Sequence, residues 1–186
     1  AVLNIPLVED VFAVRGVAYR FDNSGYIENV AGSQPTAWIT SANALGATAV
    51  DRNDIGNDLY TGFRISSLWK PSERLDVTLS HTQQDIEQDG VPEVNLNLPD
   101  DYQQVRLKTG LLGINDEFLD NEIDITNLVI NYDISWAEIV SSSSWIDYST
   151  RLEADLSALT QSPFFTMNEI DSEVFVEELR LISEHE

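Results

Sequence analysis

Histidine is the first residue type to consider for catalysis, and this chain has two histidines, His81 and His185, and no cysteine. A serine nucleophile needs a histidine base that a carboxylate orients, and such an arrangement would have to be built on His81 alone. The lack of cysteine excludes a thiolate nucleophile, a disulfide and a thiolate metal site. We therefore predict no catalytic residue, and we do not expect an enzyme.

Two acidic segments begin with the ligand spacing of a calcium-binding loop. Residues 85–90, Asp-Ile-Glu-Gln-Asp-Gly, carry oxygen ligands at alternate positions and glycine at the sixth. The bidentate glutamate that such a loop needs at its twelfth position is missing, because that residue is Leu96. Residues 51–56 fail at the fifth and twelfth positions, Ile55 and Gly62. We predict no metal site and no cofactor, and solvated acidic loops are favoured over a bound hard cation.

The net charge is −22, from 10 basic and 32 acidic residues. Such a charge repels phosphate backbones, so nucleic acid is not an expected partner. The excess is concentrated in residues 85–124, which hold eleven acidic and two basic side chains. The exposed-loop candidates for ligand contact are Asp100, Asp101, Asp116 and Glu117. A negative loop favours a cationic or neutral ligand over a polyanion.

The elements that would carry these loops are strands, and residues 57–85 have the clearest pattern. An apolar set alternates with a polar set: Leu75, Val77 and Leu79 against Asp76, Thr78 and Ser80. We expect Phe63 and Ile65 on the same surface as the apolar set. Pro71 presets φ and has no N–H to donate, which predicts a chain reversal within 70–74. A soluble sandwich would bury the apolar surface and a membrane barrel would turn it to lipid, and periodicity alone does not choose.

Short and long connections alternate along the chain. We predict a strand remnant at 1–5, then strands at 11–21, 58–69, 74–85, 122–132, 137–149 and 173–183, paired in sequence order. Long connections at 22–56, 86–121 and 151–171 alternate with short turns at 6–10, 70–74 and 133–136. Loops longer than about 12–15 residues are uncommon in compact soluble domains. Outer-membrane barrels alternate short periplasmic turns with long extracellular loops. The predicted fold is all-β, an antiparallel up-and-down meander that forms part of a transmembrane β-barrel.

Aromatic residues stand at the predicted strand ends. Trp69, Tyr132 and Trp136 flank short turns, and Tyr148 and Phe175 flank a long connection. This placement is typical of the interfacial girdles of membrane barrels.

Four motifs occur in a fixed order along the chain. They are N-S-G-Y-I-E-N at 23–29, L-W-K-P-S-E-R-L at 68–75, the Ser-rich W-A-E-I-V-S-S-S-S-W-I-D-Y at 136–148, and E-E-L-R-L-I-S at 177–183. Together they resemble the barrel of TonB-dependent outer-membrane receptors. The family usually has an acidic residue where this chain has Ser24, and glutamine where it has Glu177.

The resemblance implies a segment of a receptor in the bacterial outer membrane, for energy-coupled uptake of a scarce nutrient such as a siderophore, cobalamin or carbohydrate. The partners it implies are outer-membrane lipid, a small nutrient ligand, and the TonB complex acting through a plug region outside these residues. No signal peptide follows Ala1 and no aromatic residue ends the chain. We therefore expect residues 1–186 to be an internal part of a barrel, without the plug and the barrel C-terminus. The alternatives are a passive outer-membrane porin segment and a soluble extracellular β-sandwich that binds a ligand.

Overall fold

The structure is a computed structural model that describes residues 1–34, 37–107, 117–162 and 164–183. In chain order the elements are β1 Val2–Val8, β2 Phe12–Asn23, β3 Ile27–Val30, α1 Ala37–Ala44, β4 Asp51–Ile55, β5 Asp58–Ser72, β6 Leu75–Asp89, β7 Gln103–Gln104, β8 Phe118–Asp133, β9 Ala137–Asp155, α2 Ser157–Thr160 and β10 Phe165–Ser183.

Seven of these strands form one antiparallel sheet in the order β1, β2, β5, β6, β8, β9, β10. Each pairs with the strand that precedes it along this sheet, so the predicted all-β class and the antiparallel meander are confirmed. Within the described ranges the sheet stays open, because β1 and β10 each have a neighbour on one side only.

The strands extend further at one end than predicted. Strand β6 continues to Asp89, β9 continues to Asp155, and β10 begins at Phe165. The predicted connections at 86–121 and 151–171 are therefore wrong at their ends. In these extensions acidic residues replace apolar ones on one face of the sheet, so the alternation of apolar and polar residues that predicted the strands is lost. The backbone ladder continues regardless, as in the pairing of Asp89 with Phe118.

The turn between β5 and β6 is tighter than predicted. Strand β5 runs through Pro71 to Ser72, and the register shifts between Trp69 and Ser72, where a bulge lies. Proline has no N–H for the ladder and is tolerated at bulges. The chain thus reverses at residues 73–74, two residues after Pro71 and within the predicted turn.

Directly opposed residues of an antiparallel pair lie on the same face, so the register separates the sheet into two surfaces. We call the first the apolar face; it includes Phe63, Ile65, Trp69, Leu75, Val77, Leu79, Leu128, Ile130, Tyr132, Leu179 and Leu181. The second, the polar face, includes Thr78, Ser80, Thr82, Asn127, Asn131, Ser142 and Ser144. Leu79 is 47% exposed and Ser80 is 6% exposed. The predicted sharing of faces is confirmed.

The long connections fold into a separate unit at one end of the sheet, which we call the apical cap. It contains the three-stranded sheet β4-β3-β7 and the helices α1 and α2, none of which the sequence predicted. Its core consists of Val30, Ala31, Trp38, Ile39, Ala42, Ala47, Val105 and Leu107. None of these core residues belongs to the seven-stranded sheet. The apical cap therefore buries its own apolar groups and leaves the apolar face uncovered.

The predicted aromatic positions divide into two groups. Trp69 and Trp136 are exposed beside the short turns, as expected. Phe175 and Tyr148 do not flank a connection, because β9 and β10 continue past them. Phe175 contacts Trp145 on the apolar face, with ring centroids 5.2 Å apart. No helix in the described part of the chain is long and apolar enough to cross a bilayer.

Candidate functional site

Buried polar residues hold the apical cap together and join it to the sheet, and Phe165 of β10 adds apolar packing against the core of the cap. Asn29 of β3 is 3% exposed, and its side-chain amide acts as a strand partner for residue 106. Its Oδ1 accepts from the backbone N–H of Arg106 at 2.9 Å, and its Nδ2 donates to the Arg106 carbonyl, also at 2.9 Å. A buried amide satisfied in this way fixes the register of the two segments.

Asp155 ends β9 and is fully buried. Its carboxylate accepts from the backbone N–H of Leu107 at 2.5 Å and from that of Ser157 at 2.9 Å. The Ser157 hydroxyl in turn accepts from the N–H of Phe164 at 2.8 Å. One carboxylate thereby holds the segment after β7 and the chain that enters α2 against the end of the sheet.

Arg106 lies between two carboxylates in the same region. Its Nη2 contacts Glu93 Oε2 at 2.6 Å, and its Nη1 lies 3.4 Å from Glu117 Oε1. The Arg106 and Glu117 side chains are 8% and 9% exposed. Glu117 Oε1 also accepts from the backbone N–H of Asp155 at 2.7 Å. We call Glu93, Arg106, Glu117 and Asp155 the Arg106 cluster.

A second ion pair lies beside the cluster at the end of β6. Arg52 of β4 contacts Asp89 at 2.8 Å. The next residue, Gly90, has a φ of 79°, which glycine adopts without strain, and this conformation turns the chain out of β6. The Gly90 N–H donates to the Glu117 carbonyl at 3.1 Å, so the two ends of the connection meet.

Burial raises the pKa of Glu117 to about 7. The neighbouring charges of Asp155 and Asp89 contribute to this rise, whereas the Arg106 guanidinium and the Asp155 N–H oppose it. Glu117 therefore takes up or releases a proton near neutral pH.

A cleft of about 350 Å³ opens in the apical cap next to the Arg106 cluster. Residues 93–97, 104–106 and 156–161 contribute its walls, with polar groups from Asn95 and Gln104 and apolar groups from Leu156 and Leu159. Gln104 is 2% exposed, and its Oε1 has no hydrogen-bond partner among the described residues. The size is within the range of small-molecule sites, and the mixed walls suit a ligand that has both apolar and hydrogen-bonding groups.

Three of the four predicted ligand candidates, Asp100, Asp101 and Glu117, do not line this cleft. Asp100 is exposed and accepts from Gln103 Nε2 at 3.3 Å, and Asp101 is exposed. Asp116 lies outside the described residues, and Glu117 is enclosed in the Arg106 cluster. The cleft residues Asn95 and Gln104 carried no sequence signal, because single amides in a connection look like solvated polar residues.

Both nitrogens of His81 are occupied. Nδ1 lies 3.0 Å from Thr126 Oγ1, and Nε2 lies 3.5 Å from Asp124 Oδ1. These contacts place a hydroxyl group at one ring nitrogen and a carboxylate at the other, both from β8. His185 lies outside the described residues.

The two calcium-like segments are strands rather than ligand loops. Residues 85–89 are the end of β6, and residues 51–55 are β4. Asp51 Oδ1 accepts from the backbone N–H groups of Gly32 and Ser33 at 2.8 and 2.9 Å. Across the ranges that the structure describes, no group of three or more His, Asp or Glu side chains is arranged to hold a metal.

The upper part of the apolar face changes abruptly to acidic residues. Six acidic residues lie on this face above the row of His81, Thr126 and Trp145. We call them the acidic wall: Asp85, Glu87, Asp120, Glu122, Glu169 and Asp171. Arg151 is the basic residue among them, and it contacts Glu169 at 3.2 Å. One face of the sheet is thus divided into an apolar lower part and an anionic upper part.

Comparison of the chain with protein-family models, curated proteins and solved structures gives no match.

Proposed function

We propose that this chain is part of the β-barrel of a TonB-dependent receptor in a bacterial outer membrane, and that its apical cap binds a small nutrient before energy-coupled uptake. The division of one sheet face into an apolar lower part and an acidic upper part carries the proposal. All long connections fold at the acidic end, which is the extracellular end in barrels of this kind.

The upper limit of the apolar part supports a membrane boundary. From Leu75 to His81 the strand extends about 20 Å along its own axis, at about 3.3 Å per residue. With the tilt of about 40° that strands of outer-membrane barrels have, this stretch is about 15 Å high and fits within their apolar band of about 25 Å. The next row across the sheet contains Asp124, Asp147 and Glu173, and charged side chains are costly in lipid. This row is therefore where the hydrocarbon region would end.

The polar face supports an aqueous interior. Asn127 Nδ2 donates to Ser144 Oγ at 2.8 Å and to Ser142 Oγ at 3.2 Å, across the β8–β9 pair. A ladder of small hydroxyl and amide side chains is typical of the lumen wall of a barrel. A soluble sandwich would instead place the apolar face against a second sheet, and the small sheet of the apical cap does not provide this cover.

The cleft in the apical cap supports a ligand-binding role over that of a passive porin. It lies at the proposed extracellular end and presents amide groups, apolar walls and the Arg106–Glu93 pair. The surrounding negative charge favours a neutral or cationic nutrient. The roles of the TonB complex and of the proton-motive force in this proposal rest on the sequence resemblance alone.

Spin labels test the orientation of the sheet, and the absence of native cysteine makes single-cysteine variants simple to label. Ile130→Cys and Val77→Cys place labels on the apolar face, and Val129→Cys and Thr78→Cys place them on the polar face. In the full-length protein reconstituted in lipid bilayers, oxygen should relax the first pair of labels more than a water-soluble nickel chelate does. The second pair should show the reverse order.

Val129 is the matched control, because it is as apolar as its neighbour but lies on the other face. Asp85→Cys, above the boundary on the apolar side, should be accessible to the nickel chelate. If labels at 130 and 129 have the same accessibility, or if the protein does not associate with bilayers, the membrane proposal is wrong.

A further inference from the structure

Glu117 joins the described ends of the connection between β6 and β8 to each other and to β9. Its backbone carbonyl accepts from Gly90, where the connection begins. Its carboxylate contacts Arg106, which lies inside the connection, and accepts from Asp155, which ends β9. Three segments therefore meet at a single residue.

The charges around this side chain do not balance. Glu117 faces Arg106, Asp155 and Asp89, while Glu93 lies on the other side of Arg106 and Arg52 pairs with Asp89. The described part of this region thus has four carboxylates and two guanidinium groups. In a poorly solvated site the surplus negative charge is relieved most readily by a proton.

Glu117 is the carboxyl group best placed to take that proton. Asp155 already accepts two backbone N–H bonds, and Asp89 has its own guanidinium partner. The Glu93 side chain is 61% exposed, so water stabilises its charge. Glu117 shares Arg106 with Glu93 and is almost completely enclosed.

We infer that the Arg106 cluster is a proton-operated latch, in which protonation of Glu117 holds the apical cap against the ends of β8 and β9 and ionisation loosens it. In the neutral form Glu117 still accepts from the Asp155 N–H and adds no charge beside the Asp155 carboxylate. In the ionised form its charge is buried away from water, which the contacts with Arg106 and the Asp155 N–H offset only in part, and it also repels Asp155 and Asp89. Since Arg106 also lines the cleft, loosening the latch changes the cleft wall.

The direction of the pH effect follows from the raised pKa of Glu117. The folded form holds the proton up to about pH 7, whereas an unfolded glutamate loses it near its ordinary value of 4.5. The stabilisation of the closed cap is therefore complete below about pH 4.5 and is lost as the pH rises through 7. The latch goes beyond the proposed function. It requires only that this end of the sheet is in contact with the aqueous solution.

Hydrogen exchange measured by mass spectrometry tests the latch in the full-length protein, in the lipid or detergent in which it folds. Protection factors, corrected for intrinsic exchange, are compared at pH 6 and pH 8 for peptides that cover 103–107 and 153–158. Protection should fall by up to about tenfold between these values, since the equilibrium changes by a factor of ten per pH unit up to the folded pKa of about 7 and levels off above it. Glu117→Gln, which imitates the protonated form, should keep the higher protection at both values.

Glu93→Gln is the matched control, because it removes the exposed partner of Arg106 and should keep the pH dependence. Equal wild-type protection at pH 6 and pH 8 would overturn the latch, even if Glu117→Gln does not fold. A pH dependence that persists in Glu117→Gln assigns the proton to another group and also overturns it. The exchange measurement requires neither a transported ligand nor a lipid boundary. The latch can therefore be overturned while the receptor proposal stands, and the reverse.

Discussion

At the scale of single residues, the apical cap depends on a few buried polar side chains, and Asp155 is the most connected of them. Asp155→Asn keeps the shape of the side chain but replaces one acceptor oxygen with an NH₂ group. That group would face the backbone N–H of Leu107 or Ser157, and one of the two hydrogen bonds would be lost. A buried donor without a partner costs about 1–3 kcal/mol.

We therefore expect Asp155→Asn to destabilise the apical cap by about 1–3 kcal/mol, while the strands below it stay intact. Limited proteolysis of the connection at 90–107 should accelerate in this variant. Asp101→Asn, on an exposed residue of the same cap, is the control and should be cleaved at the wild-type rate. Unchanged cleavage of Asp155→Asn would mean that these two contacts do not hold the cap.

The burial of Asp155 and Glu117 could not be predicted from the sequence. Asp155 and Glu117 looked like solvated loop residues, because isolated carboxylates are rarely buried unless they are paired. Leu107 lies 48 residues from Asp155, and Arg106 lies in the same connection as Glu117, so local sequence indicates neither contact. Composition indicated a negative loop, and it could not indicate which of its carboxylates is enclosed.

At the scale of elements, the strand alternation predicted the lower half of the sheet and missed the upper half. Leu75, Val77 and Leu79 fixed the face of β6 because a period of two allows one arrangement. In the upper half, side chains on both faces are polar or mixed, so the alternation of hydrophobicity does not show where each strand ends. Strands β3, β4 and β7 are too short for periodicity, and β7 has two residues.

Strand β10 has one charged residue in the middle of the apolar face. Glu177 lies directly opposite Ser143, and it accepts from the hydroxyl of Ser141 at 2.9 Å and from that of Ser143. Its neighbours on this face, Phe175 and Leu179, are apolar and exposed. If this face meets lipid, the charge of Glu177 is a cost that the two hydroxyl groups reduce only in part.

We expect Glu177→Gln to stabilise the protein in bilayers by up to about 1 kcal/mol, since the amide retains a hydrogen-bond acceptor and removes the charge. Denaturant titration of the full-length protein in lipid vesicles measures this difference. Glu178→Gln is the control on the polar face, where Glu178 contacts Arg180 at 2.6 Å, and it should not stabilise. A destabilised Glu177→Gln would mean that the charge meets water, contrary to the membrane proposal.

At the scale of the whole molecule, the sheet leaves apolar surface and strand edges without cover. Strands β1 and β10 each present an unpaired edge, and both carry exposed apolar residues such as Leu3, Ile5, Val176 and Leu181. Exposed edges and apolar patches of this kind favour association with other chains. The compact core lies in the apical cap instead, so the sheet has little buried apolar surface to stabilise it in water.

Residues 1–186, expressed alone in water, should therefore aggregate through the apolar face and the edges of β1 and β10. The net charge of −22 opposes association at long range, but salt at about 0.15 M screens it beyond about 8 Å. Detergent should restore a dispersed species by covering the apolar face, although the edges stay unpaired. Size-exclusion chromatography with light scattering, with and without detergent at constant salt, measures the outcome. A monodisperse monomer that unfolds cooperatively without detergent would favour the soluble binding module instead, because its apolar face would then tolerate water without a membrane.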